Sequence, residues 1–177
     1  ALTYFINENA GGIFLAVYPI SAYIYFIIAS SKHSKGLSTK GNKIAAVILI
    51  GILIFVVGLL GYGFKENKLY FSADKIEFKG SYGETLTQSE IKSVELVNHP
   101  PKIKLKSSGF VMGTINKGYF KTESGETIKL ILNSDNKPYI LFTKSNGQKI
   151  YYSAKEESNE KIVNEMKKTL PDIVYLE

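Results

Sequence analysis

The sequence predicts two transmembrane helices followed by a mainly β domain that closes with one amphipathic helix. Three observations carry this expectation. Two charge-free apolar runs occupy most of the first third of the 177-residue chain. Beyond residue 64 the apolar residues change to a period of two, in short runs broken by turn residues. A charged stretch with a helical apolar stripe then follows and stops at Pro171.

The first run, GGIFLAVYPISAYIYFIIAS (Gly11 to Ser30), reaches ~30 Å at ~1.5 Å per residue, the thickness of a hydrocarbon core. The second, IAAVILIGILIFVVGLLGYGF (Ile44 to Phe64), is more apolar still. Two such runs exceed what a small soluble domain would bury. A cleaved signal peptide does not fit, because no basic stretch precedes Gly11 and a second span follows. Pro19 bends the first helix, which a membrane tolerates. The loop 31–43 carries Lys32, His33, Lys35, Lys40 and Lys43, whereas the segment before Gly11 has only Glu8. The positive-inside rule therefore places this loop in the cytoplasm and the C-terminal domain outside it. Lys65, Lys68, Lys75 and Lys79 after the second span reduce the asymmetry. Ala22 and Ala29 are two helical turns apart, as are Gly51 and Gly58. Each pair defines a helix-packing face, for the hairpin itself or for a larger membrane complex in which this chain is an accessory subunit. Neither span holds an ionisable residue of the kind a transport path or proton relay needs.

Residues 65–177 form the second domain. KLYFS, DKIEFKG, KSVELV, KIKLK, GYFKT, ETIKLIL, PYILF and KIYYS read as strands, seven or eight in all. Their spacing predicts an antiparallel sandwich or partly open barrel. Asn146-Gly147 predicts a tight hairpin with both central residues at positive φ. Ile128, Leu130 and Leu132 are expected inside, with Thr127, Lys129 and Ile131 on a mostly wet face. The helix is expected over about 154–170, with Ser153 and Glu156 at capping-box spacing and Ile162, Val163, Met166 and Leu170 as its apolar stripe.

The pattern resembles the bacterial pleckstrin-homology-like (PH-like) domains of membrane-anchored proteins. The resemblance runs through IEFKGSYGETLTQSEIKSVELV, PPKIKLKSSGFVMGTINKGYFKTESGETIKLIL and KPYILFTKSNGQKIYY. Its distinctive residues are Gly109-Phe110, Gly113 and Lys117-Gly118-Tyr119-Phe120. It implies a seven-stranded, partly open antiparallel barrel with a C-terminal helix, and it brings no catalytic residues.

Composition narrows the chemistry. The net charge is +6, and every basic side chain is Lys. With no Arg there is no bidentate fork for base edges, and the domain's aromatics alternate at strand spacing, so nucleic acid is not an expected partner. The absence of Cys removes disulfides, thiolate metal sites and a thiol nucleophile. His33 and His99 are expected on opposite sides of the membrane, so no metal or cofactor is expected. Glu156, Glu157 and Glu160 fall in the exposed first turns of the expected helix. There they favour the positive helix end and do not form a buried acid/base couple. Ser72-Ala73-Asp74-Lys75 and Ser134-Asp135-Asn136 match the S-x-x-K and S-D-N of penicillin-interacting enzymes. The first lies at a strand turn, however, and no K-T-G follows. Abundant Lys, Ile and Asn point to an AT-rich bacterial genome.

The stretch Pro100–Lys121, PPKIKLKSSGFVMGTINKGYFK, contains no acid. Ile103 and Leu105 are expected to face inward and Lys102, Lys104 and Lys106 outward. Ser108-Gly109 and Asn116-Lys117-Gly118 are expected in turns, and Gly113 at a bulge or close backbone approach. The expected function is a non-catalytic binding or scaffolding module that docks a protein partner at the bilayer. Lys104, Lys106, Asn116, Lys117 and Tyr119 are its partner surface, with an exposed sheet edge as the natural mode of docking. The alternative ligand is an anionic lipid or cell-envelope polymer held by Lys104, Lys106 and Lys117, each worth roughly 1 kcal/mol at an anionic surface.

Overall fold

The structure, a computed structural model, describes residues 39–176 together with Ser21, Tyr23 and Tyr25. The rest of the expected first span, including Ala22 and Ala29, and the loop residues 31–38 lie outside the described residues. The chain divides into two compact units, with the boundary between Tyr62 and Gly63.

Helix α1 (Thr39–Phe64) contributes all but its last two residues to the first unit. It begins five residues before the expected span. Apolarity marks where lipid can lie, whereas helical hydrogen bonding propagates past that point through Thr39–Lys43, where no Pro interrupts it. The window Val47–Phe64 has mean hydropathy 2.7 and is hardly buried, and it is long and apolar enough to cross a membrane. Ile48, Ile50, Ile54, Phe55 and Leu59 are all exposed. Water is a poor solvent for a helix that is apolar on every side.

The second unit is mainly β. Its strands are β1 (Lys68–Phe71), β2 (Lys75–Lys79), β3 (Thr85–Thr87), β4 (Ile91–Val97), β5 (Ile103–Met112), β6 (Ile115–Thr122), β7 (Thr127–Leu132), β8 (Tyr139–Lys144), β9 (Lys149–Ser153) and β10 (Tyr175–Leu176). Helix α2 (Asn159–Thr169) lies between the last two. All eight runs read from the sequence are strands. The short β3 and β10 are additional, being too brief to show a period. The strands form two sheets, one of order β1-β2-β3 and one of order β10-β4-β8-β9-β7-β6-β5. This differs from the expected single antiparallel barrel. The β8–β9 hairpin slots between β4 and β7, so β9 runs parallel to β7, and β10 adds parallel to β4. Strand spacing along the chain reports where strands are and leaves open which ones pair.

Alternation sorts the large sheet into two cores. Ile131, Ile140, Phe142, Ile150 and Tyr152 pack against Ile76, Phe78 and Leu86 of the small sheet and against Ile162, Val163, Met166 and Leu170 of α2. Phe78 meets Phe142 edge-on, centroids 5.1 Å apart. On the other face Phe120, Ile128, Leu130, Leu132, Leu141 and Tyr151 cluster together. The expected wet face of β7 is therefore corrected: Lys129 and Ile131 are buried, because β7 is an interior strand covered on both sides. The Lys129 ammonium reaches Glu84 at 2.6 Å, and Lys144 reaches the same carboxylate at 2.9 Å. Burial alone would raise the Glu84 carboxyl. The hydrogen bonds from the two lysines outweigh it and hold the group below its usual range.

Two local expectations shift. The β8–β9 hairpin forms, but only Gly147 has positive φ (86°). The loop is longer than the two residues a type I′ turn joins, and its Gly takes the left-handed position alone. Ser153 is not the cap of α2. It ends β9, fully buried, and donates Oγ to the Ser134 carbonyl at 2.7 Å. The cap is Ser158, whose Oγ accepts from the Lys161 amide at 3.3 Å. Glu160 in the first turn and Lys167 and Lys168 in the last suit the helix dipole. Ser158→Ala will therefore cost about 1 kcal/mol in denaturant unfolding of the detergent-solubilised chain, while Glu156→Ala leaves the midpoint unchanged. A loss from Glu156→Ala with none from Ser158→Ala would return the cap to its expected place.

The buried polar groups near the start of the unit are paired. The Asn67 amide donates to Asn133 Oδ1 and its carbonyl accepts from Asn133 Nδ2, each at 2.8 Å. The Asn67 side chain donates to the Ser81 carbonyl at 2.7 Å, and Tyr152 OH donates to the Asn67 carbonyl at 3.1 Å. These bonds tie the segment before β1 to both sheets.

Candidate functional site

The acid-free stretch folds as the β5–β6 hairpin, and its glycines explain the shape. Met112 pairs with Ile115, so the turn is Gly113-Thr114, with Gly113 at φ 58°. Glycine at the first central position fits a type II′ turn. Ser108-Gly109 and Asn116-Lys117-Gly118, expected in turns, lie inside the strands, where Gly109 faces Gly118. A Cβ on Gly118 would sit 2.2 Å from the Ser108 carbonyl oxygen and 2.5 Å from Gly109 Cα. The two glycines let the backbones touch, which is a reason for glycine that looks like a turn signal in sequence.

Strand β5 is the last strand of the large sheet, so among the described residues one edge of it is unpaired. Its register slips between Ile103 and Leu105 and again between Lys106 and Ser108. Each slip breaks the simple alternation. Ile103 and Leu105 are consequently not inside: they are 39% and 60% exposed. Lys102, Lys104 and Lys106 are exposed beside them, and Lys121 lies opposite Leu105 on β6. None of the ion pairs among the described residues involves these four lysines. No Asp or Glu occurs from Val97 to Thr122. The sequence signalled the lysines but gave no sign that Ile103 and Leu105 stay uncovered, since that follows from strand order.

Lys117 does not join this basic edge. Its side chain is fully buried, and its ammonium donates to the carbonyls of Gly63 (3.2 Å) and Lys65. Gly63 lies in the last turn of α1, whose carbonyls have no partner within the helix, and Lys65 follows the helix end. Burial pulls the Lys117 ammonium down to about 8, and the Glu66 carboxylate partly opposes that. Phe110, its cross-strand partner, packs edge-on against Phe64 at 5.4 Å. A Cβ on Gly63 would meet the Phe110 ring at 2.5 Å. Tyr119 is half-buried, with the Lys129 ammonium 5.4 Å from its ring, and Asn116 bonds back to the Thr114 carbonyl at 3.3 Å. Of the five residues read as a partner surface, Lys104 and Lys106 thus stand together on the open edge and Lys117 leaves it. Gly51 and Gly58 on α1 face open space: a Cβ added to either meets nothing within 4 Å among the described residues.

The two serines of the enzyme-like motifs are engaged locally. Ser72 donates to Asp74 at 2.6 Å, and Ser134 Oγ donates to the Ala154 carbonyl at 2.6 Å. Ser72 lies between β1 and β2, away from any helix start. His99 is exposed between β4 and β5. Fold and edge together define a mainly β domain, preceded in the chain by one apolar helix, with a basic edge strand. Comparison with protein-family models, curated proteins and solved structures returned no match.

Proposed function

We propose that this chain is a membrane-anchored binding or scaffolding module without catalytic activity, which docks a protein partner by strand addition to β5. The observation that carries the reading is the edge of β5, unpaired among the described residues, where Ile103 and Leu105 stand exposed among lysines. An edge strand offers a row of N–H and C=O groups to an extended segment, and exposed apolar side chains add grip. The anchor is a two-span hairpin of a bacterial cell membrane, with the β unit on the extracytoplasmic side. Its support is the apolar Val47–Phe64 helix and the basic segment 31–43. The domain is PH-like. Two sheets, a C-terminal helix and the Gly109-Phe110 to Phe120 hairpin support that assignment, with two parallel strand pairs as the departure from an all-antiparallel barrel.

The test combines fractionation with crosslinking in intact cells. The full chain should stay with membranes through an alkaline carbonate wash, and external protease should reach the β unit. A photo-crosslinking residue at Leu105 should trap a protein adduct that the same residue at Lys168 on α2 does not. Release into the wash would remove the anchor. Equal adducts from both positions would remove the docking edge.

A further inference from the structure

We propose that the segment docked on β5 is acidic: an extended peptide that alternates Asp or Glu with aliphatic residues. The inference rests on the docking reading above and specifies its partner. The open part of the strand is Ile103–Ser108, about 20 Å at ~3.3 Å per residue, because Phe110, Val111 and Met112 are half-buried. Within it Ile103 and Leu105 supply apolar contact. Lys104 and Lys106, with Lys102 before the strand and Lys121 across from Leu105, supply positive charge that no acid of the described chain meets in an ion pair. Opposite charges paired across strands stabilise a sheet and like charges destabilise it. A basic segment would meet its own charge, and a second copy of β5 would bring a second set of lysines to the seam. Lysines also discourage indiscriminate pairing of a bare edge. The edge therefore selects by sign, rejecting neutral and basic strands while accepting an acidic one. The two bulges restrict which register an added strand can take.

The test uses the full chain in zwitterionic nanodiscs and three fluorescein-labelled peptides. These are fluorescein-Gly-Gly-Glu-Val-Glu-Ile-Glu-Val-amide, its Lys-for-Glu counterpart, and the acidic peptide with alternate backbone nitrogens methylated. The acidic peptide should raise anisotropy and protect the amides of 103–108 from hydrogen exchange. It should bind roughly tenfold or more tightly than the basic one, and methylation should abolish binding. The double variant Lys104→Glu/Lys106→Glu should invert the preference while leaving exchange in β7 and α2 unchanged, which shows that it is folded. Binding indifferent to that charge reversal overturns the inference. So does protection of 103–108 by anionic nanodiscs without peptide, which assigns the lysines to lipid headgroups. If only the basic peptide protects β5, the acidic partner is wrong and strand docking stands. If no peptide protects β5 and the Leu105 crosslink is also absent, both readings fall.

Discussion

Gly118→Ala will destabilise the β unit by about 4 kcal/mol. Two costs combine. Gly118 holds φ 129°, where an L side chain is strained by roughly 1–3 kcal/mol. The added Cβ would also lie 2.2 Å from the Ser108 oxygen and 2.5 Å from Gly109 Cα, both backbone atoms that cannot turn aside. The two strands must separate where they now touch, and β5 leaves the sheet. Gly125→Ala is the control. It has positive φ (88°) but nothing within 4 Å of the new Cβ, so only the conformational cost of about 1 kcal/mol remains. Guanidinium unfolding of both variants in detergent measures the difference. Similar midpoints for the two would mean that the Gly109–Gly118 contact is not what keeps glycine at position 118.

Lys117→Met will cost about 2 kcal/mol at pH 7, because the Gly63 and Lys65 carbonyls lose their charged donor. Its pH signature separates this role from simple packing. The folded Lys117 ammonium titrates at about 8, below its ordinary 10.5, with burial as the main cause and Glu66 opposing. Between those values the unfolded chain holds the proton that the folded chain has released. The stability contributed by position 117 therefore rises with pH from about 8 to 10.5 and is flat below that window. Stability curves of the wild-type chain and of Lys117→Met should accordingly diverge above pH 8, the wild type gaining. Parallel curves across that range would show that Lys117 titrates as in the unfolded chain and that its buried position is wrong.

Much of this architecture was legible in the residues. Charge-free apolarity of sufficient length marked the run Ile44 to Phe64 as a helix, and α1 covers it. Period-two runs located eight strands, because a sheet with a buried face imposes that period on its own sequence. The stripe Ile162, Val163, Met166 and Leu170 marked α2 and its buried side. What failed did so for local signals with two meanings. Glycine beside Ser108 or Lys117 reads as a turn, but a cross-strand contact needs glycine equally. The Ser153–Glu156 spacing reads as a capping box, yet Ser153 ends a strand and Ser158 does the capping. Lys102, Lys104 and Lys106 could be read as outward, but so could Lys117, which is buried against backbone carbonyls.

Element types follow from local pattern, since helix and strand periods and apolar length are properties of neighbours along the chain. Long-range packing sets the rest: β9 enters beside β7, β5 is the last strand of its sheet, and Ile103 and Leu105 remain uncovered while Lys129 and Lys117 are enclosed. Those outcomes depend on which distant strands meet. A side chain's burial is set by the layer laid over it, and no local pattern encodes that layer.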